Sequence, residues 1–358
     1  MYGIGGILIW LAIKKQYEPM LLLPIGFGAI LVNLPLSIAW EHEGIPGFLR
    51  ILYEAGIANE LFPILIFIAV GAMIDFGPLF RNPLMIFFGA AAQFGIFATM
   101  IVATLLGFDL KTAASIGIIG AADGPTAIYV ANKFARDYLA PISVAAYSYM
   151  SLVPIIQPPV IRLLTTKQER SIHMPLHEKQ SPQWLKILFP ILVTMTSGIV
   201  APISVPLVGS LMFGNLIRES GVVERLSQVA QNELAYLVTL LLGISIGGSM
   251  SAEKFLNFDT LLILAMGLVA FIFDTAGGVL FAKLVNMFLP KEKKINPMIG
   301  ACGISAFPMS ARVIQKMAND EERGNIILMQ AIGANVSGQL GSIIAGGLVL
   351  ALVPLIVG

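Results

Sequence analysis

The residues best placed to do chemistry in this chain lie in two segments that interrupt long apolar runs. The first, residues 117–126, reads Gly-Ile-Ile-Gly-Ala-Ala-Asp-Gly-Pro-Thr and contains one carboxylate, Asp123. Glycine and proline break a helix and free backbone carbonyls, and carbonyl and carboxylate oxygens suit hard cations such as Na⁺. An ionisable residue in an apolar span is costly and is a functional candidate. We interpret Asp123 as a Na⁺ ligand, with simple capping of a helix near Pro125 as the alternative.

The second segment, residues 296–312, is small and apolar except for a few polar side chains. Asn296 and Ser305 supply neutral oxygens, so the two segments together could surround one monovalent ion with a single negative charge. Arg312 lies four residues after Pro308 and should project from the same helix face. A buried arginine suits a carboxylate, such as that of a carboxylated cofactor, through a bidentate contact. The alternative is an arginine that extends to the interface at a helix end.

Four further polar side chains lie inside apolar runs. Tyr147 and Tyr149 precede a Gln-Pro-Pro sequence. A buried tyrosine hydroxyl can relay protons, although it can equally be a core residue bonded to the backbone. Asn335 and Gln339 share one helix face at i, i+4, where ion ligation and helix–helix hydrogen bonding are both open.

Several common chemistries have no sequence signature here. The chain has no G-x-x-x-x-G-K-[ST] nucleotide-binding pattern, no G-x-G-x-x-G fingerprint and no Ala-Met-Lys-Met biotin-attachment sequence. Cys302 is the only cysteine, which excludes an internal disulfide and cysteine metal clusters. Pro175 between His173 and His177 argues against a helical metal pair. The net charge of +1 gives no indication of nucleic-acid binding.

The composition predicts the elements that must position these residues. Hydrophobic residues make up 57% of the 358 positions and charged residues 12%, about half the share usual in soluble proteins. Because a bilayer core of about 30 Å needs roughly 20 apolar residues per helix, the chain has room for about nine to eleven spans. The length of the runs excludes a β-barrel. We predict an all-α, polytopic membrane protein, with runs such as Met20–Trp40, Leu61–Phe80, Pro83–Gly107, Leu185–Val208, Leu261–Leu289 and Ile326–Val357.

Basic loops predict how the chain is divided and oriented. A polar linker, residues 166–184, separates a first repeat, 1–165, from a second, 185–358. This linker, the Lys291–Lys294 cluster and Lys14-Lys15 should be cytoplasmic by the positive-inside rule. The segment Ile4–Lys15 is too short to span alone and lacks the features of a signal peptide, so we expect a shallow helix or an abbreviated N-terminus.

The two halves share sequence matches in the same order, which indicates an internal duplication. The loop before the first break carries one lysine and the loop before its counterpart carries three, which places the two breaks on opposite sides and predicts inverted repeats. In such folds, helices broken at corresponding places meet near the membrane midplane and form the ion site. The matched pairs are 24–33 with 206–215, 59–61 with 232–234, 117–125 with 300–308, and Lys133 with Lys316.

At these motifs the chain closely resembles the β-subunit family of sodium-translocating carboxylic acid decarboxylases. These are the membrane parts of oxaloacetate, methylmalonyl-CoA and glutaconyl-CoA decarboxylases. The resemblance covers essentially the whole chain. It rests on stretches beginning at Tyr17, Gly71, Gly120, Tyr147 and Asn296.

The resemblance implies a division of labour within a complex in the cell's inner (plasma) membrane. A soluble carboxyltransferase α subunit would move CO₂ onto biotin, held by a separate carrier protein or domain. A small membrane γ or δ subunit would accompany them. The membrane subunit would decarboxylate carboxybiotin and couple this step to Na⁺ export with consumption of a proton. The carboxylic acid or acyl-CoA would be chosen by the carboxyltransferase, which is not this chain.

The resemblance also implies which residues act. Asp123 would be a Na⁺ ligand or switch, and Asn296, Gly300 and Ser305 of the second motif would belong to the same Na⁺ site. Arg312 would handle the carboxylated cofactor and Tyr149 the proton. Asn335 is added from the helix-face argument above. We further expect a homo-oligomer. The competing interpretation is a Na⁺-coupled secondary transporter of an organic acid, to which broken helices in inverted repeats are equally suited.

Overall fold

A computed structural model of the chain describes residues 1–175 and 181–357. Within these residues the only strands are Glu41–His42 (β1) and Ile45–Pro46 (β2), which form a small antiparallel hairpin with His42 opposite Ile45. Nearly all the remaining regular structure is helical. The prediction of an all-α fold is therefore confirmed.

The helices follow one another with few long loops. The first half contains α1 Tyr2–Lys15, α2 Pro19–Val32, α3 Phe48–Tyr53, α4 Leu61–Met73, α5 Gly77–Arg81, α6 Met85–Ala92, α7 Phe94–Leu105, α8 Leu110–Ile118, α9 Gly124–Phe134, α10 Leu139–Leu164 and α11 Lys167–Arg170. The second half contains α12 Gln183–Val200, α13 Val205–Ser220, α14 Glu224–Val229, α15 Ala235–Gly248, α16 Ala252–Phe255, α17 Phe258–Phe288, α18 Met309–Glu321 and α19 Leu328–Val357. Tighter or wider turns occur at Glu54–Ala58 and Ala230–Leu234 (π) and at Ile119–Ala121, Arg136–Tyr138, Pro202–Ser204, Lys291–Lys293 and Pro297–Gly303 (3₁₀).

The protein is a multi-pass membrane protein. In the described part of the chain, six helical stretches are long and apolar enough to cross a bilayer, or seven if α3 with its π turn and α4, bent by 59°, count as one. The expected nine to eleven spans counted every apolar run. Some of these runs form helices too short to cross alone. The 14 residues of α2, for example, extend about 21 Å, less than the roughly 30 Å of a hydrocarbon core.

The two halves repeat the same order of elements. A five-residue π turn precedes α4, and another precedes α15, at the matched Asn-Glu-Leu sequences. Helix α2 packs on α15, while its counterpart α13 packs on α4. Asn33 at the end of α2 donates from Nδ2 to the Met250 carbonyl at 2.8 Å, and Asn215 in α13 donates to the Ile74 carbonyl at 2.8 Å. An internal duplication predicts such paired contacts; the boundaries 1–165 and 185–358 remain a prediction.

Glycines allow these paired helices to touch backbone to backbone. A Cβ on Gly28 of α2 would lie 2.6 Å from the Ile244 carbonyl of α15, and a Cβ on Gly214 of α13 would overlap the Ile68 carbonyl of α4. Small residues at helix crossings replace the missing hydrophobic driving force in lipid with close van der Waals packing. The two crossings therefore form a rigid frame beside the broken helices.

The described part of the polar linker lies against the basic end of the second half. Glu169 pairs with Lys283 at 3.2 Å, Arg170 pairs with Glu321 at 2.8 Å, and Asn296, just after the Lys291–Lys294 cluster, donates to the Arg170 carbonyl at 2.7 Å. The two predicted cytoplasmic loops thus share one face of the molecule, and its assignment to the cytoplasm remains a prediction. Residues 176–180 of the linker, with His177 and Lys179, lie outside the described residues.

Candidate functional site

The first break is a short 3₁₀ turn followed by a new helix. Helix α8 ends at Ile118, and Ala122 takes a left-handed conformation with φ 52° that turns the chain before α9. Asp123 is the N-cap of α9 and accepts a hydrogen bond from the Thr126 amide on Oδ1 at 3.2 Å. Pro125 fits the first turn of α9, where its missing N–H has no partner to lose. Capping by Asp123 is thus real, but it uses only one carboxylate oxygen.

The second break contacts the first directly. A 3₁₀ segment, Pro297–Gly303, is followed by an irregular stretch that ends where α18 begins at Met309. Within this stretch the Ser305 amide donates to the Ala121 carbonyl at 2.9 Å. The two breaks therefore meet, as the sequence predicted.

The second carboxylate oxygen of Asp123 faces α19 and the second break. Its Oδ2 accepts from the Ser342 hydroxyl at 2.6 Å and from the Gln339 amide at 3.2 Å. Ser305 in turn donates its hydroxyl to Ser342 and to the Gly338 carbonyl. Asp123 is 2% exposed, so this chain of polar groups is shielded from bulk solvent. It joins a carboxylate of the first half to hydroxyls of the second.

Unpartnered oxygens occur on the residues that form this cluster. Asn335 donates from Nδ2 to the Ile304 carbonyl at 2.7 Å, whereas its Oδ1 is buried without a hydrogen-bond partner. The hydroxyl of Thr126, beside Asp123, is also buried and without a partner. Buried polar atoms are normally satisfied, so such atoms call for a ligand or water. One carboxylate with several neutral oxygens fits a hard monovalent cation.

Asn296 and Gly300 lie further back along the second break. Asn296 donates from Nδ2 to the carbonyls of Arg170 at 2.7 Å and Ile172 at 3.0 Å, and its Oδ1 accepts from the Met298 amide at 3.1 Å. The Gly300 carbonyl lies where a Cβ on Gly278 of α17 would have to be. In this conformation Asn296 fastens the break to the linker and Gly300 fastens it to α17. Their roles as ion ligands remain predictions.

The two tyrosines of α10 have different surroundings. Tyr149 donates its hydroxyl to the Leu264 carbonyl of α17. The ring of Tyr147 occupies the space that a side chain at position 124 would need, and its hydroxyl is buried without a partner. Tyr147 is therefore the tyrosine that packs on the Asp123–Gly124 cap. The assignment of the proton step to Tyr149 remains a prediction.

Arg312 lies in the first turns of α18 and is exposed rather than buried. It forms no ion pair within the residues that the structure describes. Its guanidinium is therefore free to meet a carboxylate that approaches from outside the chain. Exposure does not change the ability of the guanidinium to bind a carboxylate through two parallel hydrogen bonds.

The sequence analysis overlooked two residues of this region. Ser342 completes the stripe of Asn335 and Gln339 at i, i+4, i+7, a spacing that could have revealed it. Asp274 is the other, a fully buried carboxylate in the middle of the 31-residue α17. A single acid inside so long an apolar run was a signal in the sequence.

Comparison with known proteins gives a consistent result along the whole chain. The family model described as the Na⁺-transporting oxaloacetate decarboxylase beta subunit matches residues 1–353. The glutaconyl-CoA decarboxylase subunit beta of Acidaminococcus fermentans is 49% identical over 353 residues, covering 99% of this chain and 92% of the relative. The methylmalonyl-CoA decarboxylase subunit beta of Veillonella parvula is 49% identical over 98% of this chain and 92% of its own length. The oxaloacetate decarboxylase beta chain 2 of Salmonella typhimurium is 44% identical, with 98% and 94% covered.

Proposed function

Because this chain belongs to the family of Na⁺-transporting oxaloacetate decarboxylase beta subunits, we propose that it removes CO₂ from carboxybiotin and couples this step to Na⁺ export. It is a multi-pass membrane subunit of a sodium-translocating decarboxylase. The family assignment favours this function over a secondary transporter of an organic acid. As a beta subunit it works with partner subunits.

The observation that carries the proposal is the bridge from Asp123 to the second break. Asp123, Ser305 and Asn335 are the proposed ion ligands, joined by Ser342 and Gln339 through the hydrogen bonds described above. Since these groups come from different halves, any movement of one half relative to the other changes the ion site. Asn296 and Gly300 lie in the same break. We propose that they join the Na⁺ ligands in a second conformation of the protein.

The chemical step must be tied to occupancy of this site. Moving one positive charge outward against 100 mV costs about 2.3 kcal/mol, which decarboxylation must supply. The N-carboxylate of biotin loses CO₂ and its ring nitrogen gains one proton. Arg312 would hold the carboxylate before CO₂ leaves, because a guanidinium matches it in a two-point contact. Tyr149 would pass the proton from solvent towards the biotin nitrogen.

The partners follow from this division of work. We propose a biotin carrier protein or domain, a carboxyltransferase α subunit and a small membrane γ or δ subunit. Relatives named for three different substrates are all between 44% and 49% identical to this chain. This similarity supports substrate choice by the carboxyltransferase rather than by the membrane subunit. We also propose two inverted repeats, 1–165 and 185–358, and a homo-oligomer.

The test is to purify the complex through a tag on this chain and probe it for biotinylated protein. The carrier is then loaded with labelled CO₂, and loss of label is followed with and without Na⁺. We expect a biotinylated partner and Na⁺-stimulated release of label. A complex without a biotinylated protein, or release indifferent to Na⁺, would contradict the proposal.

A further inference from the structure

A second buried carboxylate lies at the first break and takes no part in the site described above. Asp274 in α17 is 0% exposed, and neither of its carboxylate oxygens has a side-chain hydrogen-bond partner; the groups nearest to them are the backbone amides of Gly95 and Ile96 in the first turn of α7. It forms no ion pair in the part of the chain that the structure describes. A buried carboxylate that has backbone amides beside it but no positive charge is unfavourable, so we expect it either to carry a proton or to hold a cation.

Glycines let the backbone of two neighbouring segments come close to the Asp274 carboxylate. A Cβ on Gly95 of α7 would lie 2.5 Å from Oδ1, and a Cβ on Gly120 would lie 2.7 Å from Oδ2. Two glycines therefore admit the carboxylate where any side chain would collide with it. Gly120 belongs to the 3₁₀ turn of the first break, only three residues before Asp123. The carboxylate thus lies against the same moving element as the first site.

Neutral oxygen donors are available on the same two helices. Thr99 lies one turn beyond Gly95 on α7, and Thr275 follows Asp274 on α17. Both hydroxyls are buried and have no hydrogen-bond partner. One turn further along α17, Gly278 meets the Gly300 carbonyl of the second break. Helix α17 therefore touches both breaks within about 6 Å of its length.

We propose that Asp274 forms a second monovalent-cation site, filled by Na⁺ and separate from the Asp123 site. The inference rests on the proposed function, since Na⁺ is the ion moved. Its ligand set would be the Asp274 carboxylate with neutral oxygens of α7 and α17. Because Gly120 lies against Asp274 and belongs to the same break as Asp123, a movement of the first break would load or release both ions.

The test counts Na⁺ bound to the purified complex by equilibrium dialysis with ²²Na⁺. We expect two ions per copy of this chain, one in Asp274→Asn and one in Asp123→Asn. Ser143→Ala is the matched control, because this buried hydroxyl bonds only within α10, to the Leu139 carbonyl. Thr99→Val combined with Thr275→Val, which keeps the side-chain shapes but removes two proposed neutral oxygens, should also lose one ion.

The outcomes separate this inference from the proposed function. Unchanged Na⁺ binding in both Asp274→Asn and the Thr99→Val, Thr275→Val double variant, with one ion lost in Asp123→Asn, would show that Asp274 binds no cation. The proposed function would then stand. If no variant loses an ion, both proposals fail. If Asp274→Asn does not assemble into the complex, the Thr99→Val, Thr275→Val double variant decides the question.

An independent observation concerns how the two half-helices after the breaks are held. In α9, Lys133 pairs with Glu60 at 2.6 Å, and Asn132 donates to the Ala58 carbonyl at 3.1 Å. The counterparts of the ion pair in the second half are Lys316 and Glu233. Both are exposed and neither forms an ion pair within the described residues.

The neighbours of Lys316 confirm that its half-helix is held differently. Gln315, which corresponds to Asn132, donates to the Asn325 carbonyl at 2.9 Å and accepts from the Ile327 amide at 2.9 Å. Gln315 therefore bonds to the segment that follows α18 rather than to helix α15. Helix α9 is thus held to the turn before α4 by an ion pair and a hydrogen bond. Within the described residues, the corresponding ion pair between α18 and the turn before α15 is not formed.

We infer that the pump alternates between this state and one in which Glu233 pairs with Lys316 while Glu60 and Lys133 separate. Inverted repeats can exchange their conformations, which opens one face as the other closes. In the second state Arg312, one turn from Lys316 on the same helix face, would also turn towards α15. Closing this pair would thus withdraw Arg312 from solvent.

Cross-linking of paired cysteines tests this exchange in the reconstituted complex. Glu60→Cys with Lys133→Cys should link through a short bifunctional thiol reagent at rest and less during turnover. Glu233→Cys with Lys316→Cys should do the opposite. Cys302 is buried and can stay in place, with the single variants as controls. A second pair that never links under any condition, or that links equally at rest and in turnover, contradicts the inference.

Discussion

Asp109 and Asp123 each cap a helix, and they differ in what lies beyond the cap. Asp109 begins α8 and accepts from the Lys111 and Thr112 amides on Oδ1 at 3.0 and 3.1 Å. It is exposed, and no further contact of its carboxylate is part of the site. Asp123 begins α9 with the same kind of bond from Thr126, but its second oxygen is buried against the other half of the molecule.

The difference separates capping from ion binding. Capping needs one oxygen and no burial, as Asp109 demonstrates. The burial of Asp123 and its contact with Ser342 exceed that requirement, and burial of a charge is unfavourable unless something compensates it. The burial of Asp123 and its contact with Ser342 therefore indicate a role besides capping. The two aspartates therefore form a matched pair for experiment.

The largest effect is expected from Asp123→Asn. Asparagine keeps an oxygen for the cap but removes the charge that compensates a dehydrated ion, so Na⁺-stimulated carboxybiotin decay should fall by about 100-fold or more. Asp109→Asn should leave it unchanged. Decay of labelled carboxybiotin in the purified complex measures both, and assembly of the complex reports folding. Wild-type Na⁺ dependence in Asp123→Asn would reduce Asp123 to a cap.

A smaller effect, at every Na⁺ concentration, is expected from Arg312→Ala. Loss of the guanidinium removes a charge-assisted contact to the carboxylate, which should slow decay about tenfold. Arg323→Ala, an exposed arginine beyond the end of α18, is the control. If Arg312→Ala shifts only the Na⁺ requirement, its assignment to the carboxylate is wrong.

Ser305→Ala should act on the ion and leave the chemical step intact. Loss of one neutral oxygen near the ion costs about 1.4 kcal/mol, which corresponds to about a tenfold higher Na⁺ requirement. The rate at saturating Na⁺ should not change. A Na⁺ titration of carboxybiotin decay distinguishes the two quantities. A lower saturating rate with an unchanged Na⁺ requirement would place Ser305 in the chemical step.

The smallest effect is expected from Asp109→Ala, which removes only a cap. It should lower the stability of the protein by about 1 kcal/mol with no change in Na⁺ dependence. Burial raises the pKa of the Asp109 carboxyl, but hydrogen bonds from Thr112 and Lys111 outweigh it, so this pKa lies below its ordinary value. The cap is therefore fully effective at neutral pH and is lost as the pH falls below about 4. Thermal unfolding in detergent should show a difference between variant and wild type that is full at pH 7 and shrinks as the pH falls below about 4 and through the lowered pKa of Asp109.

The sequence predicted the site through interruptions in apolar runs. Glycine, proline and one acid at 117–126 predicted the first break, and the match at Gly300–Pro308 predicted the second. Both predictions were possible because glycine and proline interrupt a helix whatever the rest of the fold does. Contacts between elements that are far apart in the sequence could not be predicted in the same way. The bond from Ser342 to Asp123, and the burial of Asp274 between two glycines, depend on how α17 and α19 pack.

The number of spanning helices and the exposure of Arg312 also could not be predicted from local sequence patterns. Apolar length does not reveal whether a run spans the membrane or ends inside it, as α2 and α8 with their short lengths illustrate. The exposure of Arg312 depends on how α18 lies relative to the frame, which differs from the position of α9 although their sequences correspond.

The central claim is that one Na⁺ is held between the two breaks by Asp123 and Ser305 together. Equilibrium binding of ²²Na⁺ to the complex with each variant and with the double variant tests it directly. Asp123→Asn should remove one ion, and Ser305→Ala should weaken one ion about tenfold, the loss of one hydrogen-bonding ligand. In the Asp123→Asn background, Ser305→Ala should change nothing further. Full wild-type binding in Asp123→Asn, or independent effects of the two substitutions, would contradict the claim.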